Sequence, residues 1–269
     1  IIGKICAAVR LEKGGGEDDK KTKAKHRLLG YPIPAWSPSP RVQGVVQRGA
    51  KSAAQLVAVT FLTMCIAASM IPGFWIVNFT STHLNTFSAI VCGPLAFFIW
   101  ALSLMLMSLT AKWSLVKRYT PGTHPVWGFF FMRWWIVHRL VRLTEKITLG
   151  YLTGTSFLRS YLVAMGATIA DDVSINTCSV TDFDLVFVGK GSTVGDSVLL
   201  TGHSIERGFL VLAEVNIGEN CFVGSQSVVM PVTSIDNGVS LEAMTMVPVG
   251  VALPPNTSWE GSPARPKEK

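Results

Sequence analysis

The chain has 269 residues, of which 49% are hydrophobic and only 15% charged, and its net charge is +7. With a mean hydropathy of +0.39, that balance suits a membrane-attached protein better than a freely soluble one. The excess positive charge lies mostly before Lys146 and the remainder is near neutral, which disfavours a nucleic-acid partner and favours an anionic membrane surface.

Residues 1–50 read as a flexible linker. Gly14-Gly15-Gly16 precedes an acidic-then-basic run from Glu17 to Arg27, and a Pro-rich stretch follows from Tyr31 to Pro40. Little here can form a core. The first residue is Ile1, as expected for the tail of a longer polypeptide or a processed product. The early apolar run is too short for a signal peptide.

Residues 51–112 predict a two-helix transmembrane hairpin. Ala53 to Val77 and Phe87 to Ala111 are each long and apolar enough to span a bilayer, and Pro72-Gly73 is expected to kink the first. Asn78 to Thr86 between them carries no Lys or Arg, whereas Arg41, Arg48 and Lys51 precede the pair and Lys112, Lys117 and Arg118 follow it. The positive-inside rule then places both termini and the C-terminal domain in the cytoplasm, with Asn78 on the other side. A transporter is disfavoured, because neither span holds an ionisable residue in its interior.

Residues 113–168 are amphipathic and aromatic. Phe129 to Arg142 mixes bulky apolar side chains with Arg133, His138, Arg139 and Arg142. Such helices are expected to lie in the membrane interface, since a third span would bury three arginines.

Residues 169–266 carry a period of six. An aliphatic residue recurs at Val211, Ile217, Val223, Val229, Ile235, Leu241, Val247 and Leu253, with a small or β-branched residue four positions after each. Earlier hexads start at Ile169, Ile175, Val188, Val194 and Leu200, interrupted from Thr181 to Phe187 and from Glu206 to Leu210. Glycine often takes the second position (Gly189, Gly195, Gly218, Gly224), as a tight corner allows. Neither an α-helix nor a flat sheet has this period. A parallel β-helix of three short faces does, and about four turns are expected. The fold class is therefore mainly β: a left-handed parallel β-helix preceded by two transmembrane helices and an amphipathic helical segment.

The hexads, with the closing Gly261-Ser-Pro-Ala-Arg265, resemble the left-handed β-helix (hexapeptide-repeat) acyltransferases. Further segments sharpen the likeness: the two spans, Arg118-Tyr-Thr-Pro-Gly122, Arg133-Trp-Trp135, Gly154-Thr-Ser-Phe-Leu158, Thr181-Asp-Phe-Asp-Leu185 and Trp259 to Arg265. Over roughly residues 50 to 266 they are similar to the C-terminal membrane region of ε-poly-lysine synthetase and related non-ribosomal-peptide-synthetase-like proteins. That resemblance implies an upstream adenylation domain and carrier domain, several acyltransferase-like units, and amide formation between aminoacyl groups. This chain holds one such unit and neither upstream domain.

The resemblance and the residues together nominate a site. His203 is the one histidine of the solenoid and stands at its second break; an imidazole there can act as general base on an amine or hydroxyl attacking a thioester. In hexapeptide acyltransferases a histidine plays this role at a subunit boundary. Glu206 is expected to orient the imidazole, and Arg207 to meet an anionic phosphopantetheine or carboxylate. Asp182 and Asp184, in the first break, either bind a cationic amino-acid acceptor or cap a turn. Gly261, Pro263, Ala264 and Arg265 either lie along the pantetheine arm, as in related enzymes, or merely close the solenoid.

The five cysteines show no CxxC or metal spacing and read as reduced thiols, so no metal is expected. No tightly bound cofactor is expected either; the donor is a phosphopantetheine-linked or coenzyme A thioester. The partners implied are the membrane, a carrier domain and a homotrimer, or a pseudo-trimer with sister domains. The reading is a membrane-anchored acyltransferase that forms an amide or ester, with a catalytically inactive scaffold as its rival.

Overall fold

A computed structural model describes residues 45–267. The linker expected over residues 1–50 therefore lies outside the described residues, save for 45–50, which are helical.

Three helices open the described chain: α1 (Val45–His83), α2 (Thr86–Val91) and α3 (Gly93–Leu115). Within them, Gln55–His83 and Gly93–Leu115 are long and apolar enough to cross a membrane. The two pack closely. A Cβ on Gly73 would stand 2.8 Å from the Ala96 carbonyl oxygen, so only glycine lets the backbones approach this far. The Trp100 indole N–H donates to Ser69 Oγ at 3.2 Å, and Ser103 Oγ donates to the Ser69 carbonyl. Small residues and hydroxyls are what joins helices where the surroundings are as apolar as the side chains. The helix boundaries differ from expectation. Asn78 to His83 belongs to α1, and Pro72 sits inside an unbroken helix. The threonines explain the extension: Thr80 Oγ1 donates to the Ile76 carbonyl and Thr82 Oγ1 to that of Asn78, each at 2.9 Å, so polar side chains near the span's end bond back to the helix. The link shrinks to Leu84-Asn85, and Asn85 caps α2 by accepting the Ser88 N–H at 2.9 Å.

Helix α4 (Phe129–Ile147) buries Phe131, Trp134, Val137, Leu140, Val141 and Thr144. Steps of three and four put these on one face. Apart from Leu140 and Thr144, these side chains join the apolar cluster that continues through the solenoid. This face of the helix expected at the membrane interface thus packs against protein; Phe129, Arg139 and Lys146 are exposed. Helix α5 (Ser156–Ala164), capped by Thr155, buries Leu158, Tyr161 and Leu162 beside the first turn of the solenoid.

From Thr168 the chain is a left-handed parallel β-helix with three walls, the fold class expected. The first wall stacks Thr168–Ile169, Val186–Val188, Val215–Ile217, Thr233–Ile235 and Ala252–Leu253. The second runs through Ile175, Val194, Val223, Leu241 and Trp259; the third through Leu200, Val229 and Val247, with Val180 bridging to Leu200. The inward series from Ile217 to Leu253 is at most 3% exposed, and each aliphatic contributes roughly 1.5–3 kcal/mol by leaving water.

Two details depart from the hexad pattern. Val211 keeps the six-residue phase but lies in an antiparallel strand, opposite Ser204 and Thr123, so the regular series begins at Ile217. The second-position glycines are not at left-handed corners: a Cβ on Gly224 would lie 2.5 Å from the backbone nitrogen of Ala243 in the next turn. Close approach of successive coils selects glycine there. The left-handed corners fall elsewhere, at Asn220, Gln226 and Gly238 among others.

Candidate active site

The two breaks in the hexad series meet at one place. In the first, Asp182 takes a left-handed conformation (φ 55°, ψ 53°) and starts a 3-10 turn, Phe183–Leu185. In the second, the chain leaves the solenoid as a hairpin of His203–Glu206 and Phe209–Leu212. Its two-residue turn has positive φ at both Arg207 (50°) and Gly208 (84°), the geometry that matches strand twist in a tight hairpin. The strand Gly122–Pro125, reached directly from the membrane hairpin, adds to the outer edge. At the hairpin's foot, a Cβ on Gly202 would stand 3.0 Å from Asp182 Cβ, so the two breaks are pressed together.

Contact between them is a hydrogen-bonded pair. His203 Nδ1 lies 2.5 Å from Asp182 Oδ2, and the Asp182 side chain is only 1% exposed. The other carboxylate oxygen accepts the Trp134 indole N–H at 2.7 Å. The indole also meets the His203 ring edge-on, with centroids 4.8 Å apart, and it carries His138 stacked on it at 4.9 Å. His138 and His203 are nearly perpendicular, 5.4 Å apart. Thr201 Oγ1 lies 3.3 Å from His203 Nδ1, so helix α4 supplies two of the four side chains around the imidazole.

Electrostatics follow from burial and pairing. Burial pushes the Asp182 carboxyl up, but the His203 charge and the hydrogen bonds from His203 and Trp134 outweigh it and hold the group below its ordinary value. Burial, with the nearby His203 charge, lowers His138 to about 4, so its ring is neutral at neutral pH. The Tyr119 phenol is pushed well above its ordinary value by burial and by Asp182 and Asp184. An ionised Asp182 accepting the Nδ1 proton fixes the tautomer of His203 and leaves Nε2 with its lone pair. Among the described residues Nε2 has no hydrogen-bond partner. An imidazole held in this way can act as a general base.

The remaining expected residues are placed differently. Glu206 stands three positions along the strand from His203, and alternation sends the two side chains to opposite faces. Ser204 Oγ, not the imidazole, donates to Glu206 Oε1, at 3.2 Å; the carboxylate on His203 is that of Asp182. Arg207 forms the exposed hairpin turn. Asp184 is engaged by the fully buried Lys112 at the end of α3, with Nζ 3.0 Å from Oδ2, and its Oδ2 also accepts the Tyr119 backbone N–H at 3.0 Å. Both aspartates are thus occupied within the chain rather than turned toward an acceptor. Gly261 to Arg265 folds over the last turn, where the Met246 N–H donates to the Gly261 carbonyl and the Ala264 N–H to that of Met246. It is not beside His203, which leaves the solenoid before the turn at Ile217. Sequence reasoning met Trp134, His138 and Lys112 only as part of a family segment, of an amphipathic helix and of a flanking charge cluster, and not as residues of the site. The signal for the first was the three-and-four stripe on α4, which faces the solenoid.

No family model matches the chain. Over 177 residues, 66% of its length, it is 28% identical to the delta-poly-L-ornithine synthetase of Acinetobacter baumannii, and it spans 13% of that protein's length. Among solved structures it is similar to a maltose O-acetyltransferase from Clostridium difficile, with 22% identity and a TM-score of 0.31 over 41% of this chain and 73% of that one. A galactoside acetyltransferase in complex with coenzyme A gives 22% identity and a TM-score of 0.33, covering 48% and 80%. A hexapeptide-repeat acetyltransferase from Vibrio cholerae complexed with acetyl coenzyme A gives 14% and 0.33, covering 48% and 87%. The synthetase is of the kind that the segments accompanying the hexads resemble.

Proposed function

We propose that the chain is a membrane-anchored acyltransferase unit that moves an acyl or aminoacyl group from a thioester to an amine or hydroxyl. The observation that carries this is the buried Asp182–His203 pair, 2.5 Å apart, with Nε2 unpartnered among the described residues where the hairpin leaves the solenoid. His203 Nε2 takes the proton of the attacking group as its lone pair forms the new C–N or C–O bond. The tetrahedral intermediate then expels the thiolate, and the C–S bond breaks. The imidazolium returns the proton to sulfur, so the products are an amide or ester and a free thiol. Asp182 stays ionised throughout and stabilises the imidazolium.

The likeness to the poly-ornithine synthetase supports an aminoacyl donor on a phosphopantetheine carrier, with an amine as acceptor and a synthetase-like protein as the setting. Coenzyme A bound to two of the acetyltransferases supports a coenzyme A thioester as the simpler alternative. A pantetheine arm would run along the solenoid wall, with the Gly261 to Arg265 closure at its far end and Arg207 as a contact for its anionic portion. Three solenoids, from identical or sister units, would complete the site. Both termini and the solenoid are assigned to the cytoplasmic side. Because Lys112 is buried in an ion pair, the flanking charge after α3 rests on Lys117 and Arg118. The apolar and basic residues that α4 leaves exposed would meet the lipid headgroups.

The test is thiol release by the full chain in lipid nanodiscs, with acetyl coenzyme A and an aminoacyl-pantetheine as donors. His203→Ala is expected to lower transfer by roughly 10²–10⁴-fold with the fold intact, and Asp182→Asn to do likewise by fixing the wrong tautomer. Equal rates in wild type and His203→Ala would remove the imidazole from the reaction. No turnover in either would favour the inactive scaffold.

A further inference from the structure

We infer that His138 is a substrate-contacting residue of this site, one that binds the acceptor by taking a hydrogen bond from its nucleophilic N–H. The inference rests on the acyl-transfer reading for the identity of the site, and on its own geometry for the role.

His138 projects from α4 one turn after Trp134 and stacks flat on that indole, with centroids 4.9 Å apart and planes 20° apart. Its ring stands at 85° to that of His203 at 5.4 Å. The two imidazoles are therefore close enough for one small group to reach both. Among the described residues neither ring nitrogen of His138 has a hydrogen-bond partner, and neither is sealed from solvent like the buried orphan His124 Nε2. Mostly buried polar groups without a partner are costly, and a ligand that supplies a donor removes that cost.

The division of labour between the two histidines follows from their surroundings. Asp182 engages Nδ1 of His203 and so holds the ring that serves as base. Burial opposes a second proton on His138, as do the charges of His203, Arg142 and Arg139, and only Asp182 favours one. His138 thus remains a neutral acceptor, suited to hold an N–H and unsuited to remove it; the proton leaves through His203. A primary amine offers one hydrogen to each ring, whereas a hydroxyl offers a single hydrogen. The site is accordingly matched to an amine acceptor.

Binding of L-ornithine to the full chain in nanodiscs, by titration calorimetry, tests this alongside transfer from acetyl coenzyme A. His138→Phe keeps a flat ring for Trp134 and loses both nitrogens; His138→Gln keeps an acceptor. Phenylalanine is expected to weaken amine binding at least tenfold, with the donor KM and thermal unfolding at pH 7.5 unchanged, and glutamine to restore most of it. Equal binding by wild type and His138→Phe overturns the inference. So does a loss that appears equally in the donor KM, or an absence of binding by wild type. His138-dependent binding without turnover supports the inference and refutes acyl transfer.

Discussion

Replacing Lys112 with methionine isolates a connection between the membrane hairpin and the imidazole. The Lys112 side chain is fully buried and that of Asp184 is 10% exposed, with Nζ 3.0 Å from Oδ2. Asp184 is two residues from Asp182, in the same 3-10 turn that presents Asp182 to His203. Methionine preserves the length and apolar stem of lysine, so packing is nearly kept and the charge alone is lost. Breaking one side of a buried pair leaves an uncompensated carboxylate, a loss of about 3–5 kcal/mol. For a body of this size that corresponds to roughly 6–20 °C in Tm. The Tyr119 N–H still holds Asp184, which sets the loss toward the lower end. Adding Asp184→Leu removes the stranded charge, and most of the stability is expected to return. Unfolding in nanodiscs, followed by tryptophan fluorescence, reads both changes. A drop below about 1 kcal/mol, or a double variant no better than the single, would refute the claim that this pair ties α3 to the turn that holds Asp182.

Acid should weaken the fold in a definite window. The folded value of His138, about 4, lies below its ordinary 6.5, so the unfolded chain takes up this proton first as pH falls through 6.5, and stability declines until about 4. The lowered Asp182 acts in the same sense at more acidic pH, its contribution being lost as pH falls through its folded value. The His138 part is on the order of 3 kcal/mol; unfolding free energies at pH 7.5 and 4.5 measure it, and His138→Phe should flatten the difference. Trp134→Phe removes the indole N–H from Asp182 Oδ1 and is expected to cost about 1–3 kcal/mol, with a fall in kcat and little change in donor KM. Ile235→Ala, in the wall at 2% exposure, should lose about 2–5 kcal/mol in a thermal melt without altering the acceptor KM of the folded fraction.

Features that repeat with a local period could be read from the residues alone. A hexad step returns each aliphatic to the same side of a three-walled coil, so Ile217 through Leu253 could be read as inward-facing residues before any coordinates. The two long apolar runs were legible for the same reason, since spanning length and composition are properties of a segment. The breaks in the period located His203 and Asp182, because chemistry needs side chains that the walls cannot spare. What those side chains meet depends on how the coils stack. Asp182 and His203 are 21 residues apart, and only the stacking of one coil on the next brings them together. Strand alternation turned Glu206 away. Val211 kept the phase yet belongs to the hairpin, because a period does not say which strand lies beside it. The apolar stripe of α4 had the right spacing to face either lipid or protein, and only the coil packed against it chose protein. That choice placed Trp134 and His138 beside the imidazole, and it made Lys112 part of the fold rather than a charge at the membrane surface.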